Sequence, residues 1–455
     1  MHTSSTPLWQ DGFTPPIRQP LLNDIEVDVV IIGAGYTGLW TAYYLSQLNL
    51  GLSIAIVEAE HVGFGGSGRN GGWCSAFLPM SPTEMAEQHG KDAMQFIQYE
   101  MFATIEEIAR VTKSEGIDCD FHQGGTITSA SSTAHIQRVK DYVTQWREAG
   151  FDESVVRWES AVEIETRLQT GKTYGGMYSP HCAVIHPWKL VQGVARVLEA
   201  RGVTIYERSR VLNVKQHRVQ TTHGNVDARW VVQAVESFAS QMKQTKRSII
   251  PLYSLMVATE PIPAHVWKEI GWSNRETFAD GRNMITYAQR TADNRIAFGG
   301  RGAPYHFGSR ISPKFDGHEK IHDHLRETVR ETFPVLSEVK FTHQWGGPIG
   351  ASRDWHAFAN VDHKTGLCSG GGYVGDGVAL SNLIARTLVY QMLNYESPLT
   401  RSLLVNHHAR EWELEPIRWM GINGLLKLTE IADVRERRSG APSSRIIALR
   451  DSFLS

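Results

Sequence analysis

Cysteine is scarce: four residues in 455, at positions 74, 119, 182 and 368, with no CxxC pair among them. That spacing suits reduced thiols in a cytosol better than a disulfide framework. Histidine is scattered without ligand spacing as well, so no metal site is expected. Charge of one sign is also missing, because 46 basic residues against 48 acidic ones leave a formal net charge of −2 mixed along the chain. Such a balance gives no electrostatic case for nucleic acid or an anionic membrane. No apolar run approaches the roughly 20 residues that span a bilayer. Residues 1–27 are polar and rich in Pro and Thr, without the basic-then-apolar order of a signal peptide. The expectation is a soluble, cytoplasmic protein with no membrane span. A GxSxG elbow is absent, which argues against a hydrolase, and no long-range internal repeat is visible.

Glycine, by contrast, is plentiful and clustered, with 41 residues in the chain. The first cluster lies in Asp28-Val-Val-Ile-Ile-Gly33-Ala-Gly35-Tyr36-Thr37-Gly38. Val29 to Ile32 form a β-branched run of buried-strand type, and Gly33 lets the chain turn sharply out of it. Gly35 has no side chain to hold the backbone away from a pyrophosphate, whose charge would sit at the positive end of the next helix. Gly38 lets that helix lie close on the strand. Ser53 to Val57 supply a second strand, and Glu58 follows Gly38 by 20 residues, where a carboxylate can accept from ribose hydroxyls. Strand, turn, helix, strand and acid in this order predict a bound adenine dinucleotide. The acid disfavours a 2′-phosphate.

A second cluster, Gly63-Phe-Gly-Gly-Ser67-Gly68-Arg69-Asn70-Gly71-Gly72, packs six glycines into ten residues. It reads either as a loop whose amides approach an extended anion or a flat ring, with Ser67 and Arg69 as added donors, or as a flexible surface loop. The third, Ser369 to Ser381, is another tight glycine turn feeding a helix to about Asn394, and its Gly377 and Val378 amides can donate to a second electron-rich group. Between these clusters, helices are expected over 82–115, 134–149 and 190–201, the last with Pro187 at its start. Strands at 203–206, 211–214 and 230–234 would complete a sheet with the first βαβ unit. Those at 249–260, 283–290 and 295–300 would make an antiparallel second sheet covering a ligand. A length of 455 residues exceeds one core, so two domains are expected.

Three glycine clusters so placed are the pattern of a two-domain flavoprotein, and the chain resembles the D-amino-acid oxidase and glycine oxidase superfamily. The matching segments are DVVIIGAGYTGLWTAYYL with Glu58, GFGGSGRNGG, HPWKLVQGVARVLEARGVTIYE at 186–207, NRIAFGGRGAPY at 294–305 and GGYVGDGVALSNLIARTL at 371–388. SGRNGG and the FGGR segment look most like the γ-glutamylputrescine oxidoreductase branch. The resemblance implies an α/β fold: a Rossmann-like FAD-binding domain with a discontinuous antiparallel-sheet substrate domain of α+β type. Its segments would be a polar N-terminal extension (1–27), the FAD-binding domain (28–80, 160–240 and 340–400), the substrate domain (81–159 and 241–339) and a helical tail (401–455).

The same resemblance implies that Gly33, Gly35, Tyr36, Thr37 and Gly38 face the pyrophosphate, and that Glu58 faces the adenosine ribose. Ser67, Gly68 and Arg69 would meet the ribityl chain and ring edge, Val211 the adenine, and Gly375, Asp376, Gly377 and Val378 the pyrimidine end of the flavin. Ala297 stands where sarcosine oxidases carry an oxygen-activating lysine, so rapid reoxidation by oxygen is not assured. Gly347 stands near the place of their flavin-bearing cysteine, and Ala379 near that of a carboxylate-holding lysine. Non-covalent FAD is therefore expected, with a substrate anchored differently from sarcosine.

The implied reaction oxidises the C–N bond of a small amine or amino acid by hydride transfer to flavin N5, followed by imine hydrolysis. Catalytic candidates are Arg69, Arg301, Tyr253 and His186. Arg69 is singled out because glycines surround it and no charge nearby in sequence neutralises it. Arg301 reads as a partner for a substrate carboxylate or as one half of a structural ion pair. Tyr253 and Tyr287 read as pocket walls or as core, and His186 as a polar wall and proton acceptor or as a buried structural histidine. Asp376 is expected to cap its helix, and Arg435, Arg437 and Arg438 to form a solvated face. An NAD(P)H-dependent flavoprotein hydroxylase, a nicotinamide-dependent dehydrogenase and a non-enzymatic nucleotide-binding protein remain alternatives. The oligomeric state is open.

Overall fold

Strand Ile25–Ile32 is buried on both faces through Val29, Val30 and Ile31, as its β-branched run requires of a parallel strand covered by helices. It is central to a sheet in which Leu367–Gly371, Asn225–Gln233, Ile25–Ile32, Ile54–Val57 and Thr204–Tyr206 run parallel in that order. Strand Phe358–Asp362 joins one edge antiparallel, and the hairpin strands Val211–Lys215 and Arg218–Thr221 extend from Asn225–Gln233. The sheet is the expected Rossmann-like one. The computed structural model describes residues 3–48 and 50–451 of the chain.

Helices Tyr36–Gln47 and Gly377–Met392 carry almost no charge and are buried nearly all round. A helix without a polar face must be covered on every side, and these two cover each other. Tyr44 donates its Oη to Asn382 Oδ1 at 2.9 Å, and Thr37 Oγ1 and Tyr373 Oη share a hydrogen bond of 2.7 Å. The expected helices also form, as Pro82–His89 with Lys91–Ser114, Thr133–Glu148 and Pro187–Ala200.

The second sheet runs in the order Phe341–Ala351, Ile250–Thr259, Ile296–Gly300, Thr286–Arg290, Thr277–Asp280, Thr126–Ser129, Gly176–Ser179 and Arg157–Glu159. It is mixed rather than wholly antiparallel, because Thr277–Asp280 and Thr126–Ser129 pair parallel. Its membership also moves two expected boundaries. Phe341–Ala351 pairs with Ile250–Thr259 across its whole length, and Gly176–Ser179 pairs with Thr126–Ser129, so both belong to this sheet and not to the nucleotide-binding one. Either strand looks alike in sequence whichever sheet it joins, since pairing partners are remote.

The described residues near both ends of the chain include docked segments. The N-terminal segment, polar in composition, uses some of its few apolar residues as anchors: Trp9 is 2% exposed and Leu21 1%. Ser4 bridges to the outer edge of Phe341–Ala351. Arg18 is buried and pairs with Glu199 at 2.7 Å and Glu207 at 3.1 Å. In the tail, helix Ile417–Ser439 seats Asp433 on the backbone amides of Asn283 and Met284, at 2.9 and 2.8 Å, and pairs Glu436 with Arg138 at 2.8 Å. The expected solvated face is thus partly engaged, since Arg437 also reaches Glu331 at 3.5 Å. Among the described residues no helix is long and apolar enough to cross a membrane.

Removing Arg18 leaves the buried Glu207 with only the more distant Arg208, at 3.7 Å, as a cation, a loss of about 3 kcal/mol for a broken buried pair. Arg18→Ala should therefore lower the melting temperature by several degrees in a thermal melt. An unchanged melt would show that the Arg18 ion pairs contribute no docking energy.

Candidate active site

Gly33 leaves the first strand at φ +103°, a left-handed conformation, and a Cβ there would stand 2.6 Å from the Ala234 carbonyl oxygen. The turn it makes aims the first turn of helix Tyr36–Gln47 into a cavity of about 450 Å³. Gly33, Gly35, Tyr36, Thr37, Glu58, Ser67, Val211, Gly375, Gly377 and Val378 all line this cavity. It therefore brings together residues from all three glycine clusters and opens to the N-terminal ends of two helices, whose unpaired amides favour negative charge. Gly38 does not line it. A Cβ at Gly38 would fall 2.1 Å from the Gly33 carbonyl oxygen, so its role is the close helix-to-strand contact. Gly68 likewise packs inward, against Gly63 and Trp188.

Glu58 accepts from the Ala34 amide at 2.8 Å and the Glu60 amide at 2.9 Å, and its burial raises the carboxyl above its ordinary range against the pull of those two bonds. Ser67 Oγ accepts from the Tyr36 amide at 2.9 Å, linking the second cluster to the first helix. Three consecutive carbonyls of that second cluster are each taken by a side chain from elsewhere. Trp345 Nε1 donates to Arg69 at 2.8 Å, Trp9 Nε1 to Asn70 at 2.7 Å and Gln289 Nε2 to Gly71 at 2.7 Å. The run is thus a pinned loop rather than a flexible surface one.

Sequence similarity agrees with this geometry: residues 28–391 match the family described as FAD-dependent oxidoreductases (DAO). The chain belongs to that family. It is 28% identical over 377 residues to γ-glutamylputrescine oxidoreductase of Escherichia coli, covering 81% of this chain and 84% of that one. A probable oxidoreductase OrdL of Rhizobium meliloti is 27% identical over 385 residues, covering 82% and 85%. In fold, the chain is similar to glycine oxidase from Geobacillus kaustophilus, with a TM-score of 0.66 at 22% identity over 84% of this chain and 99% of that one. It is also similar to L-amino acid deaminase from Proteus myxofaciens, with a TM-score of 0.68 at 16% identity over 89% and 97%.

The protein is an FAD-dependent oxidoreductase, and the cavity fits that cofactor. The two helix ends suit its anionic groups, Glu58 suits a ribose, and Phe64 and Phe238, 6.2 Å apart, add aromatic surface to the lining. Among the described residues, no cysteine or histidine lines the cavity. At Gly347 a Cβ would stand 2.6 Å from Arg69 Cδ, so the arginine stem fills the space a side chain would need.

Other candidates lie elsewhere. Arg69 is neutralised after all, by a residue 247 positions away: its Nη1 meets Asp316 at 2.7 Å and the Gly346 carbonyl at 3.1 Å. His186 opens onto a separate cavity of about 400 Å³, between the edges of Trp9 and Phe13. There its Nδ1 accepts from the Lys189 amide at 3.3 Å, and burial pushes its pKa down to about 4, so the ring is neutral. Tyr253 packs in the second core, 2% exposed, with its Oη accepting from the Ser312 amide at 3.3 Å and burial pushing it up to about 12. The Tyr287 ring lies between Gly71 and Gly299, where a Cβ at either would meet it at about 2.5 Å, so it joins the second sheet to the pinned loop. Asp376 precedes helix Gly377–Met392 but makes no capping hydrogen bond. Its ψ of 37° is not the extended backbone that swings a cap side chain onto the first turn, and its own amide is spent on the Tyr373 carbonyl at 2.9 Å.

Sequence reasoning missed Glu236, a lining residue at φ +43°. Its two carboxylate oxygens accept from the Gly372 amide at 3.1 Å and the Tyr373 amide at 3.2 Å. Added Cβ atoms at Gly350 and Gly371 would each stand 2.6 Å from those oxygens, so two glycines make room for one carboxylate. A lone acid in the apolar run Val231 to Phe238 was the available signal. Burial pushes this carboxyl up from 4.5 to about 7, against the two amide bonds. The folded chain therefore keeps the proton to a higher pH than the unfolded chain, and stability falls as pH rises through that window. Melting the cofactor-free protein from pH 5 to 8 should show wild type losing stability relative to Glu236→Gln, and parallel curves would contradict it.

Proposed function

We propose that the protein oxidises the carbon–nitrogen bond of a small amine or amino acid, with FAD held non-covalently. The observation that carries this reading is the one cavity shared by two helix N-termini and Glu58, together with relatives named for γ-glutamylputrescine and glycine. In this reading Gly33, Gly35, Tyr36 and Thr37 receive the pyrophosphate, Glu58 the ribose and Val211 the adenine. Ser67 and the loop around Gly68 and Arg69 receive the ribityl chain, and Gly375, Gly377 and Val378 the pyrimidine edge of the ring. Bound FAD supplies a two-electron acceptor that takes hydride from the carbon bearing the amine.

The chain's own part is placement and electrostatics. Amides at the start of helix Gly377–Met392 stabilise negative charge at the ring edge. Tyr287 and Arg301 border the substrate side, where aromatic walls orient the C–H bond and exclude water. The substrate loses hydride from carbon and a proton from nitrogen, and water then converts the imine to a carbonyl compound and the released amine. His186, neutral and in the other cavity, is assigned no proton transfer. The buried methyl of Ala297 brings no charge to the place of an oxygen-activating lysine, so an acceptor other than oxygen is compatible with the site.

Purified protein should carry a yellow flavin band that amines bleach under anaerobic conditions. Acid precipitation should leave all the FAD in the supernatant. A flavin that NADPH bleaches and no amine does would favour a hydroxylase, and flavin retained in the pellet would refute non-covalent binding.

A further inference from the structure

Helix Ile417–Ser439 spends one face on the body of the protein and presents the other to the outside. The inward face carries Ile422, Thr429, Ala432 and Glu436, all buried. Asn423 also exchanges two hydrogen bonds with the Tyr305 backbone, at 3.0 and 3.1 Å. On the outward face Ile417, Met420, Ile431 and Val434 are 66%, 63%, 44% and 44% exposed. These side chains keep a seven-residue period: Ile417, Gly424, Ile431 and Arg438 form one row, and Met420, Lys427 and Val434 the next. Two adjacent rows at that spacing make the seam of a coiled coil, which needs a second helix to cover it.

Gly421 and Gly424 lie exposed on the same helix, and a Cβ at either would meet no neighbouring atom within 4 Å. Glycine weakens a helix interior relative to alanine, and nothing in the folded chain comes close enough to these two to require it. The hollow they leave suits a side chain from outside. Toward the other end a surface groove of about 520 Å³ runs past Ile431 and Val434, rimmed by Lys427, Glu430, Arg435 and Arg438. Arg435 and Arg438 have no ion pair among the described residues, while the segment leading into the helix is acidic through Glu411 and Glu413. The start of the helix thus offers a hollow and negative charge, and its end offers apolar knobs and positive charge.

We propose that this face is the interface of a two-fold symmetric dimer, in which helix Ile417–Ser439 packs antiparallel on the same helix of a second copy. A two-fold interface uses one patch twice, so the patch must complement itself. An axis passing between Gly424 and Lys427 sets Ile417 beside the partner's Val434 and Met420 beside the partner's Ile431. Gly424 then makes room for the stem of the partner's Lys427, and Arg438 approaches the partner's Glu413. Parallel pairing would instead stack Lys427, Arg435 and Arg438 on their own copies, which like-charge repulsion opposes. An anionic membrane suits the face less, because Glu430 rims the groove and glycines bury little apolar area in lipid.

Sedimentation of the FAD-loaded protein over a concentration series should show monomer and dimer in equilibrium. Met420→Glu and Ile431→Glu should each raise the dissociation constant by at least about tenfold, with flavin content and far-ultraviolet circular dichroism unchanged. The four native cysteines are buried, so an introduced surface cysteine can be cross-linked selectively. Gly424→Cys should join to its own copy through a short bis-maleimide. Ile417→Cys should not, because antiparallel pairing holds the two copies about 25 Å apart along the helix axis. A wild type that stays monomeric at every concentration, or a dimer that neither glutamate weakens, would overturn the proposal. Cross-linking at both cysteines would overturn the antiparallel arrangement, and a monomer that binds anionic vesicles through Met420 would give the face to a membrane instead. If a glutamate variant loses its flavin, wild-type sedimentation and the cross-links decide.

Discussion

Helices Tyr36–Gln47 and Gly377–Met392 are far apart in sequence and pack on each other, because neither has a polar face to give to water. Their contact sets where both N-terminal ends lie, and the hydrogen bond between Thr37 and Tyr373 fixes those ends side by side. A helix end is a weak anion site alone; two ends on one cavity can hold a ligand with negative charge at two places. Each strand-to-helix turn is then constrained in turn. Gly33 must adopt a left-handed conformation, and the 371–377 turn must thread past the wall that Glu236 occupies.

Glu236 shows how closely the site is built. Its carboxylate bridges the segment after strand Asn225–Gln233 to the turn before the late helix, and Gly350 and Gly371 leave it space. Three segments from two sheets therefore meet on one acidic group. The ionised form makes the better bridge, with both oxygens accepting from amides, while burial favours the neutral form. The rigidity of this wall and its protonation are the same property.

The parallel core and its helices were legible because they obey local rules. Val29 to Ile32, Gly33 and Glu58 carry their meaning in spacing, and the amphipathic stretches carry theirs in period. What escaped was whatever depends on remote pairing. Asp316 finds Arg69 across 247 positions, and Phe341–Ala351 joins the second sheet on the strength of a partner strand some ninety residues earlier. The polar N-terminal segment looked like an extension because Trp9, Arg18 and Leu21 are too sparse for a periodic signal. Asp376 looked like a cap because its residue type and position suit one, and its backbone angle, which sequence does not display, denies it. The FAD wall could be read largely from glycines. The surroundings of Arg69 could not, since Asp316 reaches it from a remote segment.

The six glycines of residues 63–72 give that loop a large conformational entropy in the unfolded chain. Trp345, Trp9 and Gln289 remove most of it by holding three successive carbonyls. The ordering cost is thus met during folding rather than at the moment of ligand capture, by the N-terminal segment through Trp9 and by the second sheet through Trp345 and Gln289. A loop that would be floppy in isolation reaches the cavity already shaped, so the affinity of whatever it binds there is set in part by a tryptophan near the start of the chain.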